Sequence, residues 1–235
     1  MEVPGQGIRH GDDDLASPGS VAGLTVSHAV SPSRPIYEFS KRVLDLVLTL
    51  VALPLAIPML IVVALLVRSS SPGSILFRQT RVGRFGRPFT CLKFRTMIMD
   101  AHRMLADDPE LGARFVVAYK LPTDPRVTRL GRILRNLSLD ELPQLWNVLR
   151  GEMSLVGPRP ALAEELRRMY GPAASQVISV RPGLTGLWQV SGRCATSYEE
   201  RVLLDLSYVE RRSLFLDLRI IARTPIAVLT MRGAQ

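Results

Sequence analysis

Apolar and polar positions divide the chain into three stretches of different character. Residues 1–36 are rich in Gly, Pro, Ser and Asp, carry Asp12-Asp13-Asp14 and show no sustained apolar periodicity, which predicts a flexible polar tail. Residues 37–68 hold a long apolar run, Val43 to Val67, whose only charge is Asp45. At about 1.5 Å per residue, a helix of that length reaches across a hydrocarbon layer of about 30 Å. Residues 69–235 break into short periodic elements, as expected of a folded domain.

Within that third stretch, Ile75 to Gly83 and Arg87 to Thr96 predict two strands around a Gly/Arg turn, a small hairpin. Asp100 to Phe115 has helical character broken near Pro109, Leu121 to Arg126 is a proline-punctuated loop, and Val127 to Leu137 predicts a basic helix. Leu142, Leu145, Trp146 and Leu149 fall on one helical face, and Pro160 opens a predicted helix over Ala161 to Tyr170. Ser179 to Arg193 is turn-rich. Helices over Tyr198 to Arg212 and Leu214 to Met231 complete an α/β class that is mostly helical with a small β-hairpin.

The apolar run begins too far from the N-terminus, and lacks the small-residue site, for a removable signal peptide, so it is expected to stay on the mature protein. Pro54 and Pro58 interrupt its middle, and both flanks are basic: Lys41 and Arg42 before it, Arg68, Arg78, Arg81, Arg84 and Arg87 after it. The positive-inside preference would keep both flanks on the cytoplasmic side, which a bent re-entrant helix satisfies and a straight span does not. Each proline removes a backbone donor and allows a kink, leaving arms too short to cross alone. The expectation is a monotopic membrane protein with a proline-broken re-entrant helix. An ordinary kinked span with a periplasmic domain is the alternative, because membrane helices tolerate proline.

Composition narrows the partners. The chain has 235 residues, 47% of them apolar, enough for a sizeable core. The whole chain carries a net charge of +9, but up to Ser40 Glu2, Asp12, Asp13, Asp14 and Glu38 outnumber Arg9 and Arg34 for a net of −3, so the remainder carries +12 and points to an anionic partner. Helix-turn-helix, zinc-finger and aromatic RNA-binding signatures are missing, so nucleic acid is not the expected partner. Cys91 and Cys194 lie far apart without metal-ligand spacing, which fits a reducing, cytosol-facing environment.

The chemistry concentrates in Leu139-Asp140-Glu141-Leu142-Pro143 and Gly157-Pro158-Arg159-Pro160. Ser138 and Glu141 match a capping box, with Asp140 at a helix N-terminus, where the macrodipole favours an ionised carboxylate and free amides can hold phosphate oxygen. A carboxylate so placed can ligate Mg²⁺ or attack phosphorus; it can also be a cap and nothing more. Prolines on both sides of Arg159 restrict its backbone and present a fork that matches phosphate. A solvated surface arginine is the alternative. Lys93, Arg95, Arg126, Arg129, Arg132, Arg135, Arg181 and Arg193 extend the positive field.

Taken in order, Lys41-Arg42-Val43-Leu44-Asp45, Lys93-Phe94-Arg95-Thr96-Met97, Arg135 to Gln144, Ser154 to Pro160, Arg181 to Gly186 and Leu216-Asp217-Leu218 resemble the bacterial sugar transferases, monotopic phosphoglycosyl transferases that prime membrane-linked glycans. The resemblance runs from Lys41 to about Met231. It implies transfer of a sugar 1-phosphate from a UDP-sugar to undecaprenyl phosphate with release of UMP, on the cytoplasmic face of the bacterial inner membrane, with Mg²⁺ as cofactor. By the same resemblance Asp140 is the nucleophile, Glu141 its partner at the metal, and Arg159 a ligand of substrate phosphate, with Lys93, Arg95 and Arg193 the further phosphate-binding candidates. Residues 69–235 are then a cytosolic catalytic domain with interfacial helices, membrane lipids are partners, and a homo-oligomer stays open. Pro58 matches the family's helix break. Ile57 stands where a serine commonly precedes that proline, and Pro54 is additional.

Overall fold

In the computed structural model, residues 34–108, 124–192 and 197–230 are described. The N-terminal tail, the predicted helical run from Pro109 to Phe115 and Arg193 lie outside them. Helix α1 runs from Pro35 to Ser70, continuous through Pro54 and Pro58. Strand β1 (Leu76–Val82) pairs antiparallel with β2 (Pro88–Phe94), Leu76 opposite Phe94 and Val82 opposite Pro88, so the predicted hairpin forms with its boundaries drawn in slightly. Then follow α2 (Ala101–Asp107), α3 (Arg129–Asn136), a 3₁₀ turn (Leu139–Glu141) and α4 (Gln144–Arg150). Strand β3 (Ser154–Val156) pairs parallel with β4 (Gly183–Thr185), a small second sheet that the turn-rich sequence did not announce. Between them, α5 (Ala163–Glu165) passes into a π-helical turn (Leu166–Tyr170), and α6 spans Ala174–Val177. Helices α7 (Leu187–Ser191), α8 (Tyr198–Arg211) and α9 (Leu214–Leu229) close the chain.

Local chemistry starts the helices. Thr128 accepts a hydrogen bond from Gly131 N at the head of α3, and Ser197 and Glu200 form a reciprocal capping box at α8. Packing then decides which faces turn inward. Phe89 and Cys91 of the hairpin meet Val148 and Met153, while Phe94 meets Leu134 together with Val63 and Val67 of α1. On α4 the expected apolar face is only half observed. Leu145 and Val148 are buried, but so are Gln144 and Asn147, while Trp146 is 56% exposed. Asn147 turns inward because its amide bridges Thr90 O at 2.8 Å and Leu92 N at 3.2 Å, fastening α4 to β2.

Helix α1 is long and apolar enough to cross a membrane by length and composition. Its buried residues, Asp45, Thr49, Ala56, Val63 and Val67, form one stripe at helical spacing, and Leu50, Val51, Leu55, Ile57, Ile61, Val62 and Leu65 are exposed. Both ends touch the same domain. Near the start, Asp45 accepts from Ser154 Oγ at 2.7 Å and Leu155 N at 3.1 Å, Arg42 donates to the Val148 and Leu149 carbonyls, and Lys41 pairs with Asp217 at 3.1 Å. Asp217 also accepts from Tyr37 at 2.9 Å and Tyr208 at 2.8 Å. Near the end, Val63 and Val67 pack on Phe94 and Leu134.

Candidate active site

Asp140 sits in the 3₁₀ turn between α3 and α4. Ser138 adopts a left-handed conformation, φ 56°, which swings the chain sharply out of α3. That turn leaves Ser138 without a capping bond there, so the expected capping box does not form. Glu141 has different partners: its Oε1 lies 2.8 Å from Lys93 Nζ and 3.1 Å from Arg159 Nη2. Burial pushes the Glu141 carboxyl up, but Lys93 and Arg159 outweigh it and hold the group well below the usual carboxylate range.

Asp140 is the opposite case. It is 7% exposed, and among the described residues no donor is hydrogen-bonded to its carboxylate. Burial first, and the Glu141 charge second, push its carboxyl up, against the pull of Lys93, Arg135 and Arg159. The helix-end stabilisation expected from the sequence is therefore overruled by desolvation. Two acids adjacent in sequence end in contrasting states, one pinned and ionised, the other bare and reluctant to ionise.

The cations are carried by distinct elements. Lys93 lies on β2, which Asn147 ties to α4 and so to the acid pair. Arg159 follows β3, in a loop set by Gly157 N donating to Thr185 O at 2.9 Å and Gly183 N to Pro158 O at 2.8 Å. A Cβ on Gly183 would stand 2.0 Å from Gly157 N, so only glycine permits this close approach. Arg95 does not join them. Strand β2 ends at Phe94, and beyond it the Arg95 guanidinium donates to Ser71 O at 2.6 Å and Val67 O at 3.3 Å, closing the C-terminal end of α1.

Residues that the sequence reading left among the general basic background, or did not single out, complete the surroundings. Arg81 donates to Pro160 O at 3.2 Å, steadying the Arg159 loop, and pairs with Glu165 at 3.5 Å. Glu165 also pairs with Arg201 at 2.9 Å, and Arg201 lies over the rings of Trp188 and Tyr198, each at 5.0 Å. A pocket lined by Arg81, Lys93, Glu141, Gln144, Arg159 and Gln189 opens beside the acid pair. The sequence signal available for Arg81 was its place in Thr80-Arg81-Val82-Gly83-Arg84; Glu165 and Arg201 gave none, since their partners are distant in the chain.

Among the described residues no group of three or more His, Cys, Asp or Glu assembles into a metal cage. The acid pair nevertheless suits Mg²⁺, which takes one or two protein carboxylates and completes its shell with water and substrate phosphate. Lys93, Arg135 and Arg159 offset only part of the burial of the Asp140 carboxylate, and a bound cation would add to them.

Buried acids beside phosphate-ready cations, held next to a long apolar helix, define a class of protein, and the chain belongs to the bacterial sugar transferases, whose family profile matches residues 36–231. Among its relatives is the exopolysaccharide production protein ExoY of Rhizobium meliloti (strain 1021), 46% identical over 205 residues, or 86% of this chain and 90% of that protein. The UDP-glucose:undecaprenyl-phosphate glucose-1-phosphate transferase of Caulobacter vibrioides is 44% identical over 86% of this chain and 74% of its own length. The undecaprenyl-phosphate galactose phosphotransferase of Salmonella typhimurium is 43% identical over 84% of this chain and 42% of its own length.

Proposed function

We propose that this enzyme transfers a sugar 1-phosphate from a UDP-sugar to undecaprenyl phosphate, releasing UMP, in exopolysaccharide or related glycan synthesis. The observation that carries the reading is the unequal partnering of Asp140 and Glu141. Glu141, pinned by Lys93 and Arg159, gathers cations where a diphosphate must bind. Asp140, with no hydrogen-bond partner among the described residues, keeps its oxygens available for reaction.

In the first step an Asp140 Oδ attacks the β-phosphorus. The bond from that phosphorus to the bridging oxygen breaks, its electrons leave with UMP, and an aspartyl phosphosugar remains. In the second step an oxygen of the polyprenyl phosphate attacks the same phosphorus, and the bond to Asp140 breaks with its electrons returning to the carboxylate. Arg159 and Lys93 hold phosphate oxygens as the charge redistributes. Asp140 and Glu141 would hold Mg²⁺, which when bound supplies positive charge to the phosphates and favours the ionised form of Asp140.

The lipid substrate dictates the topology. We place α1 as a re-entrant helix bent near Pro54 and Pro58, because Asp45 at one end and Val67 at the other both touch one domain, which a straight span through a bilayer does not allow. Exposed Phe215, Leu218, Ile226 and Leu229 recur along one face of α9, beside Arg219 and Arg223, as in a helix lying in an interface. The enzyme then rests on the cytoplasmic face of the inner membrane, where soluble UDP-sugars and the lipid phosphate meet.

The test is to offer the purified enzyme a panel of UDP-sugars with undecaprenyl phosphate and Mg²⁺ and to measure UMP. Acceptor-dependent UMP release from at least one sugar is expected. Absence of release across the panel contradicts the reaction.

A further inference from the structure

Two side-chain amides border the pocket beside the acid pair, and the two-step reaction uses neither of them. Gln144, the first residue of α4, is only 2% exposed, yet its Nε2 has no hydrogen-bond partner among the described residues. Gln189 comes from α7, where its Nε2 donates to Leu184 O at 3.1 Å and so fixes which end of the amide points away. That end, the Gln189 Oε1, is buried and also unpartnered. A Cβ at Gly186 would stand 2.9 Å from it, so the bare glycine leaves the carbonyl its place. One pocket wall thus carries an unpartnered donor and an unpartnered acceptor, in a setting where buried polar groups are nearly always paired.

The other polar groups of the pocket are already engaged. Lys93 and Arg159 hold Glu141, and Arg81 holds Glu165 and Pro160 O. What completes the two amides must both accept from Gln144 and donate to Gln189. The ionised oxygens of a diphosphate only accept, and the Gln189 carbonyl repels them. Uracil offers both kinds of group, but it sits at the far end of the diphosphate from the phosphorus that meets Asp140. The sugar is bonded to that phosphate directly, and each of its hydroxyls accepts and donates. The space among the lining side chains has the size of a single water molecule, which suits a hydroxyl and not a planar base.

We propose that Gln144 and Gln189 together bind one ring hydroxyl of the donor sugar, Gln144 Nε2 donating to it and Gln189 Oε1 accepting from it. This deepens the sugar-phosphate transfer reading and rests on it. No bond is made or broken at either amide. Gln144 follows Glu141 by three residues, so the contact that orients the sugar and the acids that meet its phosphate are carried by one short stretch of chain. A donor that lacks this hydroxyl leaves two buried amide groups unpaired, and one with an acetamido group in its place is too large for the slot.

The test uses the full chain in phosphatidylcholine nanodiscs. The probes are UDP-glucose and UDP-galactose, analogues of each with one sugar hydroxyl replaced by hydrogen, and UDP as the sugar-free reference. In the wild type, removal of one particular hydroxyl is expected to lower kcat/KM by about tenfold or more. Gln144→Met and Gln189→Met should each lower kcat/KM for the parent sugar by a similar factor, and should then accept that same analogue within about twofold of the parent. UDP should compete against wild type and variants alike, within about twofold. Gln189→Met, on a different helix, carries the test if Gln144→Met does not fold. Absence of any hydroxyl whose loss is coupled to these residues overturns the assignment. So does weakening of UDP as large as that of the UDP-hexose, which would make the amides nucleotide contacts. If the wild type releases no UMP from any UDP-sugar, the transfer reading fails. Binding titrations then still decide the role of the amides, because the variants should weaken a UDP-hexose and leave UDP unchanged.

Discussion

Two groups of buried carboxylates can be set side by side. Asp217 and Asp45, which fasten α1 to α9 and β3, are fully engaged: Asp217 by Lys41, Tyr37 and Tyr208, Asp45 by Ser154 and the Leu155 amide. Asp140 is also buried, though slightly less deeply, and is engaged by no hydrogen bond among the described residues. A buried acid with every partner in place holds structure together, and one left bare costs stability that only a function explains. The contrast separates anchor from reactive group without reference to any relative, and changing each acid in turn tests it.

The largest effect is expected at Asp140. Asp140→Asn should lower transfer by at least about a thousandfold, since a carboxamide is no nucleophile. Its melting temperature should be no lower than that of the wild type, because the fold already disfavours a charge there. Asp217→Ala should do the reverse. Removing this fully buried partner strands Lys41 and two tyrosines, for a loss of about 3–5 kcal/mol in chemical denaturation. The folded fraction should keep the wild-type specific activity.

Glu141→Gln comes next, at about a hundredfold in rate, since Lys93 and Arg159 lose the charge that gathers them. The same substitution should flatten the acid limb of stability. The Glu141 carboxyl is depressed in the fold, so its contribution is present above the ordinary value of about 4.3 and lost as pH falls through its folded value.

The smallest effect is a shift in a pH profile. Asp140 must be ionised to attack, and its carboxyl lies above the ordinary range, so single-turnover UMP release should rise with pH through a limb well above about 3.9. A neighbouring cation favours the carboxylate; Lys93→Met should therefore move that limb to higher pH. A limb that stays in place would detach Lys93 from the electrostatics of Asp140.

Elements with local causes were legible. The hairpin, α3, α8 and α9 followed from periodicity, and Asp140, Glu141, Lys93 and Arg159, all named from the sequence, lie together in the fold. What escaped it depends on partners far away in the chain. Gln144 and Asn147 turn inward and Trp146 outward because α4 docks on β2 through an amide bridge, which no helical wheel contains. Ser138 looked like a cap until its left-handed backbone removed the geometry of capping. Arg95, two residues from Lys93, was grouped with it, yet the strand ends between them and sends Arg95 to α1. The Glu165 pairs with Arg81 and Arg201 join residues scattered over three elements, so neither charge pattern nor spacing could announce them.

The most direct measurement is intact-protein mass spectrometry after incubating the enzyme with its UDP-sugar and Mg²⁺ and no acceptor. The mass should rise by one sugar phosphate, the label should map to Asp140, and undecaprenyl phosphate should discharge it. Undiminished UMP release and product formation by Asp140→Asn, with no adduct at that position in the wild type, would contradict the account.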